Sequence, residues 1–590
     1  MKNYSKMLLL AGLILLITGC ITTNSDQSDV FQNEVSISGD VQTFQESTLD
    51  LSGPIPYLTL QGTPYEQGLA YGVLLRGSLR ASSESFGQYQ EARAASMPLY
   101  KRLFGGIYIS IKINDFLKRT PQRYIDEMQG LADGSGGTLK QIALLSYSFS
   151  ASAACTSVLS NPSENEGILH GRNWDFSPYL LGQSPILVKY EFQEGPAIWT
   201  VSTLGYLPFF HGCNEYGLSI SLNTLDTNGS GEKGTPIVWK IREILENASS
   251  MEEADSILKS IENDSSNWLL TLASANEKKG RVYNLLNNLQ QFEELQDDRP
   301  MIVVNHSYEP PDGPVNSQLR ENTDFTTMIF ESNQNRLDEA CLYDSTNNPE
   351  TSLDIWTILR NHDLTENRIW NNRGSIANYA TMFSVVFDLA NRRISFSVSP
   401  SWASLRDVWE FNLDNNQFSL LLPADPYTKT DRFLANEASY FRIENEIING
   451  TFDVGDLDYR MGPSSLLNYS LKIINFHKGS PEFLELLEKS LQEYPDLNFN
   501  NFALGYYYKY LDPERSISYF NTAIADPDVA KDYKLYGLQH MVDAYGEIND
   551  RTGRANAASH WLELFEEYSE GFYVSPYMQR VARKMERLAN

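Results

Sequence analysis

The sequence predicts an α+β body followed by an all-helical C-terminal region. Between residues 54 and 430, runs typical of strands and runs typical of helices occur in separate blocks, which favours sheets packed between layers of helices. From Ser464 onward the strand-like runs stop and helical periodicity dominates. The length of 590 residues agrees with this division, because at about 150 residues per domain it corresponds to roughly three to four units.

The α+β body begins with a strand and helices and continues with strands. Tyr57–Leu60 predicts a short strand, and apolar spacing predicts helices over Glu66–Arg80 and Glu127–Leu145, the second one broken at Gly134–Gly137. Apolar and β-branched runs separated by turn residues then predict strands from Cys155 to about Asp226. The later patterns predict two helices over Ile237–Ile261, strands at Trp268–Ala273 and Ile302–Val304, and a terminal strand pair of Phe383–Phe387 with Ile394–Val398.

The C-terminal helices carry a repeat-like pattern. Leu504-Gly505-x-x-Tyr508, followed by Tyr519-Phe520-x-x-Ala523 and Pro527, resembles a tetratricopeptide repeat, with a weaker second copy through Tyr545 and Ala555–Trp561. A generic helical bundle is the alternative. We assign residues 465–590 to this helical domain, with a boundary near 430–465, and consider a protein partner as its ligand.

The charge balance excludes one large class of functions. Lys and Arg total 47 against 75 Asp and Glu, which gives a net charge of −28. Such a balance repels phosphate backbones, so we expect no nucleic acid as a partner. Four cysteines in 590 residues cannot form a disulfide scaffold or a cysteine-rich zinc array, so each cysteine needs its own explanation. No metal or other cofactor is predicted.

The first 19 residues predict a signal segment. Lys2 and Lys6 precede an apolar run, Met7–Ile17, that is too short to span a bilayer as a helix. Ile17-Thr18-Gly19-Cys20 resembles a bacterial lipobox, which implies cleavage before Cys20 and lipidation of its thiol. An ordinary signal peptide is the alternative. The lipobox would place the protein in the cell envelope, lipid-anchored on the extracytoplasmic side of a membrane, with residues 20–53 as a polar tether.

Cys155 differs from the other cysteines in the residues that follow it. A turn at Asn161–Gly167 leads into Leu169–Phe176, which contains Arg172 and Asp175. This pattern predicts a hairpin with Cys155 at the start of one strand and both charged residues on the next. A guanidinium near the sulfur would favour thiolate, and a carboxylate can orient an amine or thiol proton. Because charged hairpins are common, these residues suggest a nucleophile without deciding the question.

Six motifs, taken in order, resemble those of the cysteine N-terminal-nucleophile hydrolases. They are Gly68–Gly72, Glu127–Gly134, Ala154-Cys155-Thr156-Ser157 with Gly171–Phe176, Gly212–Leu218 with Leu222-Asn223, Val304-Asn305-His306, and Ser332-x-x-x-Arg336. Within these hydrolases the penicillin acyltransferase-like group is the most similar, with choloylglycine hydrolases and acid ceramidase as wider kin. The resemblance covers roughly residues 55–400 and identifies Cys155 as the nucleophile.

The resemblance implies a fold and a processing event. The fold is a four-layer αββα sandwich, formed here by residues 54–154 and 155–430, and the chain is cut between Ala154 and Cys155. The freed α-amino group has an ordinary pKa of about 8 and would act as the base for its own thiol. None of the seven histidines is then needed as a base, and we expect His211 and His306 to be structural.

The same resemblance implies roles for further residues. Asp175 would orient the freed amine or the substrate, and Arg172 would support the thiolate. Asn223 would donate to the oxyanion, and Asn305 would hold the amine and the scissile amide. Arg336 would bind substrate or serve as a buried structural arginine.

The implied reaction is cleavage of a small N-acyl amide through a thioester on Cys155, with water or an amine as acceptor. Two alternatives stay open. One is an inactive, lipid-anchored scaffold that binds partners through its helical domain. The other is a lipid amidase similar to ceramidases, in which Tyr206–Phe210 would line an acyl pocket instead of forming a core strand. Cys213 and Cys341 are expected to be buried, inert thiols, with a disulfide between them as the alternative.

Overall fold

A computed structural model describes most of the α+β body and most of the C-terminal helices. The described residues are 30–84, 99–148, 154–162, 167–175, 185–224, 234–259, 268–286, 289–305 without 298, Arg336, 349–362, 375–434 without 379, 400 and 432, 437–438, and 484–589 with several short gaps. The predicted signal segment and Cys20, His306 and Cys341 lie outside these residues.

A mixed sheet of eleven strands forms one half of the centre of the α+β body. Its strands, in chain order, are β1 Ser36–Ser38, β2 Val41–Phe44, β3 Ser47–Asp50, β4 Tyr57–Leu60, β7 Pro185–Tyr190, β8 Ile198–Thr203, β9 His211–Asn214, β10 Leu218–Thr224, β11 Trp268–Ser274, β12 Lys279–Leu286 and β13 Leu289–Glu294. They are paired in this same order, and all neighbours are antiparallel except β4 and β7, which run parallel.

An antiparallel sheet of seven strands forms the other half. Its strands are β5 Ala154–Ser160, β6 Leu169–Asp175, β14 Met301–Val303, β15 Thr381–Asp388, β16 Arg393–Val398, β17 Val408–Asn412 and β18 Gln417–Leu422. They are ordered β14-β5-β6-β15-β16-β17-β18. The predicted strand pair β15–β16 is therefore confirmed but is not terminal, since β17 and β18 extend the sheet beyond it.

Helices cover the outer faces of both sheets. They are α1 Pro64–Leu74, α2 76–84, α3 Leu99–Arg119, α4 Gln122–Ser135, α5 Leu139–Ser148, α6 Ile237–Asn247, α7 Met251–Lys259 and α8 Ser352–Leu359. Helix α1 packs on β2–β4 and α6 on β9 and β10, whereas α8 packs on β6 and β15 of the smaller sheet. Strands β5 and β10 face each other between the sheets, so the predicted αββα arrangement is confirmed.

Helices α1 and α4 pack with their backbones in near contact because glycines lie at the crossing. A Cβ atom added to Gly68 would lie 2.0 Å from the carbonyl oxygen of Glu127, and one added to Gly130 would lie 2.1 Å from that of Tyr65. Both helices thus need a residue without a side chain at this point. The motifs Gly68–Gly72 and Glu127–Gly134 therefore fix how the two helices pack.

Gly130→Ala is expected to destabilise the fold by about 1–3 kcal/mol, because the added methyl group meets main-chain atoms that cannot rotate away. Gly77→Ala is the matched control: Gly77 is helical and exposed, and nothing lies within 4 Å of the position its Cβ would take. We expect that variant to be stabilised by about 0.5–1 kcal/mol. Denaturant unfolding of both variants measures the difference, and equal stabilities would contradict the predicted helix contact.

The N-terminal tether predicted for residues 20–53 is wrong in its C-terminal half. Residues 36–50 form β1–β3 of the larger sheet, and Phe44 and Leu49 are buried in its core. Strand β3 pairs with β4, so this segment is an integral part of the sheet. The prediction failed because these strands are only three or four residues long and mostly polar, so the sequence carries no clear strand periodicity here.

The C-terminal region is helical, as predicted. Its helices are α9 Asn498–Tyr508, α10 Pro513–Ala525, α11 Lys531–Glu547, α12 Arg551–Ser569 and α13 Pro576–Ala589, and each packs against the next. Gly505 allows close contact with the Phe520 ring, and Trp561 is fully buried. Assignment to a tetratricopeptide repeat stays a prediction. Within the described residues, no helix has the length and apolar character needed to cross a membrane.

Candidate active site

The predicted hairpin around Cys155 is formed by β5 and β6. The two strands are antiparallel, and Cys155 pairs with Trp174, Ser157 with Arg172, and Ala154 with Asp175. Because side chains alternate along a strand, Cys155 and Arg172 lie on the same face of the hairpin. This face is turned toward β10 of the larger sheet.

The Cys155 sulfur is buried beside a guanidinium. Arg172 donates from Nη2 to Cys155 Sγ at 3.0 Å and to the carbonyl oxygen of Leu222 at 2.5 Å. Burial raises the pKa of the Cys155 thiol, and although Arg172 acts in the opposite direction, the net shift is upward. In the uncut chain the thiol is therefore protonated at neutral pH, and Arg172 alone does not produce a thiolate.

The main chain of Cys155 is held by two predicted site residues. Its N–H donates to Asn305 Oδ1 at 2.7 Å, and its carbonyl oxygen accepts from Arg336 Nη1 at 2.6 Å. Arg336 also donates to Thr156 Oγ1 at 2.8 Å and to Asn305 Oδ1 at 3.0 Å. Asn305 and Arg336 thus fix the nitrogen that self-cleavage would turn into an amine.

The Asp175 carboxylate is fixed by residues that the sequence analysis missed. It accepts from Thr381 Oγ1 at 2.7 Å and from Asn378 Nδ2 at 3.0 Å, and it lies 3.9 Å from Arg336 Nη1. Asn378 and Thr381 lie more than 200 positions along the chain, at the start of β15. Two polar residues before an apolar strand are a weak signal, and nothing in the sequence pairs them with Asp175.

The amide of Asn223 lies next to Cys155 but is fully hydrogen-bonded. Its Nδ2 donates to the carbonyl oxygens of Val303 at 3.0 Å, Val304 at 3.3 Å and Cys155 at 3.4 Å. Its Oδ1 accepts from Ser157 Oγ at 2.9 Å. The structure therefore brings Asn223 to the nucleophile with its N–H groups turned toward the Cys155 main chain.

The other residues that the sequence singles out are also buried. His211 Nδ1 lies 3.4 Å from Arg172 Nη1 and is buried. Cys213 is a free thiol, fully buried, and burial raises its pKa, as expected for an inert cysteine. Residues 206–210 are buried but form no strand, and the Phe210 ring lies 5.3 Å from that of Trp174. Trp174 pairs with Cys155, so this aromatic segment lies near the nucleophile.

Two histidines buried near the site predict sensitivity of the fold to acid. Burial lowers the pKa of His170 to about 3 and that of His211 well below its ordinary value. In the unfolded chain both would titrate near pH 6.5, at about the ordinary histidine value. The stability they contribute is complete above about pH 6.5 and is lost as the pH falls toward the folded pKa values.

We therefore expect the free energy of unfolding to decrease by up to about 1.4 kcal/mol per pH unit for each histidine below about pH 6.5. Thermal unfolding at about pH 7 and about pH 5 measures this for the full chain and for His170→Gln, which lacks one of the two groups. The variant should lose less stability between the two pH values. The same loss in both proteins would contradict the buried, neutral state of His170.

Comparison with known families agrees with this geometry. Residues 161–400 match the family "acyl-coenzyme A:6-aminopenicillanic acid acyl-transferase". This match covers less than half of the chain, but it includes most of the residues that surround Cys155. The matched residues include Arg172, Asp175, Asn223 and Asn305 together with Arg336. Cys155 lies just before the match, so its role rests on the contacts described above.

Two curated relatives and one solved structure are similar to parts of the chain. The rat N-acylethanolamine-hydrolyzing acid amidase is 28% identical over 24% of this chain and 41% of its own length. Rat acid ceramidase is 26% identical over 37% of this chain and 60% of its own length. The chain thus spans about half the length of these relatives. The solved N-acylethanolamine-hydrolyzing acid amidase ortholog of Caenorhabditis elegans is 17% identical, with a TM-score of 0.27 over 40% of this chain and 93% of that one.

Proposed function

We propose that this protein is a self-processing cysteine amidohydrolase or acyltransferase that acts on an N-acyl amide through a thioester on Cys155. The observation that carries the proposal is the convergence of Arg172, Asn223, Asn305 and Arg336 on the side chain and main chain of one buried cysteine. These are the residues that the family resemblance assigns to the site. The acyl-transferase family match supports an acyl-transfer reaction.

Self-processing begins with attack of Cys155 Sγ on the Ala154 carbonyl carbon. The Ala154–Cys155 amide bond breaks as the thioester forms, and the Cys155 nitrogen gains a proton and becomes an amine. Water then hydrolyses the thioester, which leaves Ala154 with a carboxylate and restores the thiol. The Cys155 N–H is held by Asn305, so the new amine is formed in a fixed position beside its own sulfur.

The freed amine then supplies the base that the buried thiol lacks. Its ordinary pKa of about 8 allows it to take the Sγ proton near neutral pH. The sulfur attacks the substrate carbonyl carbon, and the oxyanion accepts from Asn223 Nδ2 in place of the longest of its present bonds, the one of 3.4 Å to the Cys155 carbonyl oxygen. The proton passes from the Cys155 amine to the leaving amine as the C–N bond breaks. Water, or a second amine in acyl transfer, then attacks the thioester and restores the thiol.

The relatives support an acyl amide as substrate, because one of them is named for the hydrolysis of N-acylethanolamines. A lipid amidase is the second candidate. It is favoured by the aromatic segment 206–210, whose Phe210 ring lies 5.3 Å from the Trp174 ring opposite Cys155. An acyl chain bound to Sγ would lie close to these apolar rings.

The proposal also includes attachment to a membrane and binding of a protein partner. A lipid on Cys20 would hold the protein to the extracytoplasmic side of a bacterial membrane, as the lipobox suggests. The helices of residues 498–589 would serve as a binding surface for a protein partner. The alternative hypothesis is an inactive scaffold that has only the lipid anchor and the helical binding surface. It predicts that the chain stays uncut.

The test uses the purified full chain and a panel of N-acyl amides: N-acyl amino acids, penicillins, bile-salt conjugates, N-acylethanolamines and ceramides. N-terminal sequencing should find Cys155 as a new terminus, and mass spectrometry should find the acyl group of the best substrate on that residue. Preference for the N-acylethanolamines or ceramides would indicate a lipid amidase, whereas preference for the other compounds would indicate an enzyme that acts on small polar amides. A chain that stays uncut and unacylated with every compound would overturn the proposal and favour the scaffold.

A further inference from the structure

A continuous line of buried polar side chains runs between the two sheets and ends at Asn223. Ser157 of β5 and His170 of β6 face the strand β10, on which Ser219, Ser221 and Asn223 share one face because they are two positions apart. The distances are 2.9 Å from Ser157 Oγ to Asn223 Oδ1, 3.1 Å from Ser157 Oγ to Ser221 Oγ, 2.9 Å from Ser221 Oγ to His170 Nε2, and 3.0 Å from His170 Nδ1 to Ser219 Oγ. All five side chains are buried.

The chemistry of the groups fixes the direction of the first bonds. Asn223 Nδ2 faces carbonyl oxygens, which only accept, so its other end toward Ser157 is Oδ1. Oδ1 also only accepts, so the Ser157 hydroxyl must donate to it. A hydroxyl has one proton, and the Ser157–Ser221 contact therefore requires Ser221 to donate to Ser157.

The same reasoning extends to the histidine. The Ser221 proton is used on Ser157, so His170 must donate from Nε2 to Ser221 Oγ. Burial and the nearby charge of Arg172 lower the pKa of His170 to about 3, so the ring is neutral and carries only this proton. Its Nδ1 then accepts from the Ser219 hydroxyl. Each hydroxyl and imidazole hydrogen atom in this line of side chains therefore has a single allowed acceptor.

We propose that Ser157, Ser221 and His170 form a positioning chain that locks the amide of Asn223 with its N–H groups toward Cys155. This proposal rests on the proposed function, in which Asn223 donates to the oxyanion. A flipped amide would turn Oδ1 toward the carbonyl oxygens of Cys155 and Val303 and toward a developing oxyanion, which repel it. The positioning chain makes that flip costly, because a reversed Asn223 amide would present an N–H group to the Ser157 hydroxyl. The hydrogen bonds from Ser157 to Ser221 and from Ser221 to His170 would then be disturbed as well.

The first test separates positioning from mere burial of polar atoms. Ser157→Ala removes the donor to Asn223 Oδ1. We expect kcat on the best amide substrate to fall about 10-fold to 100-fold, with KM changed less than about 3-fold. This loss of kcat is smaller than the loss of about 10²–10³-fold that follows removal of an oxyanion donor itself. Ser160→Ala is the matched control: Ser160 lies on the same strand, is equally buried, and donates to the carbonyl oxygen of Pro349. Equal kcat values for the two variants would overturn the proposal.

The second test reads the hydrogen positions without any substrate. In the full chain labelled with ¹⁵N-histidine, His170→Gln identifies the His170 signals among those of the seven histidines. We expect the neutral Nε2–H tautomer at about pH 7, which the direction of the chain requires. An Nδ1–H tautomer would overturn the proposal. A protein with the Nε2–H tautomer but no amidase activity would contradict the proposed function while supporting the locked orientation of Asn223.

Discussion

Cys155→Ala is expected to leave a single uncut chain with no measurable amide hydrolysis. The variant lacks the sulfur that attacks the Ala154 carbonyl, so neither the thioester nor the new amine can form. Loss of a nucleophile that acts together with its base costs about 10⁴-fold or more in kcat. A denaturing gel measures the cut, and release of the amine from an N-acyl amide measures the activity.

Cys213→Ala is the matched control for this variant. Cys213 is as deeply buried as Cys155 and is also a free thiol, but it lies on β9 of the larger sheet. We expect this variant to be cut and active like the parent chain. A Cys155→Ala protein that is still cut before residue 155 would assign the nucleophile to another residue.

Arg242→Met is expected to destabilise the fold by about 3–5 kcal/mol, because it removes the counter-charge of a buried carboxylate. Arg242 on α6 lies 2.7 Å from Glu127 of α4 and 2.7 Å from Glu246, and the guanidinium stacks over the Tyr190 ring at 4.2 Å. Burial raises the pKa of Glu127, and Arg242 is the main charge that opposes this rise. Without the arginine, Glu127 must be protonated or stay charged in a site with no access to water.

The size of this loss is checked by denaturant unfolding against an exposed ion pair. Arg392 lies 2.5 Å from Asp414 at the surface, with side chains 37% and 61% exposed, so Arg392→Met should cost less than about 1 kcal/mol. The double variant Glu127→Leu/Arg242→Met should recover part of the loss, since it removes the unpaired carboxylate as well. A loss for Arg242→Met no larger than that for Arg392→Met would show that the buried pair contributes little.

Local patterns in the sequence predict most of the sheet and the position of Cys155. The β5–β6 hairpin follows from two strands joined by a turn, and this short-range arrangement alone brings Arg172 to the sulfur. Asn305 and Arg336 lie 150 or more positions away and were assigned only through the family resemblance. Residue patterns alone do not specify which distant strands meet.

The parts that were missed have a common physical cause. Asn378 and Thr381 contact Asp175 only because β15 pairs with β6, and the serines of β10 contact His170 only because the two sheets stack. The strands β1–β3 were missed because they are short and mostly polar. In each case the sequence pattern is local, whereas the contact is created by packing between segments far apart in the chain.

The parallel pairing of β4 with β7 determines how the protein would behave as two pieces. Strands β1–β4 precede Cys155 and β7–β13 follow it, so the larger sheet is built from both sides of the cut. Tyr57–Leu60 pairs residue by residue with Leu187–Tyr190. Tyr57 also donates from its hydroxyl at 3.1 Å to Oδ1 of Asn416, in the turn that joins β17 and β18 of the other sheet. Cleavage would therefore yield a heterodimer whose subunits share one β-sheet, and a lipid on the smaller subunit would retain the catalytic subunit as well.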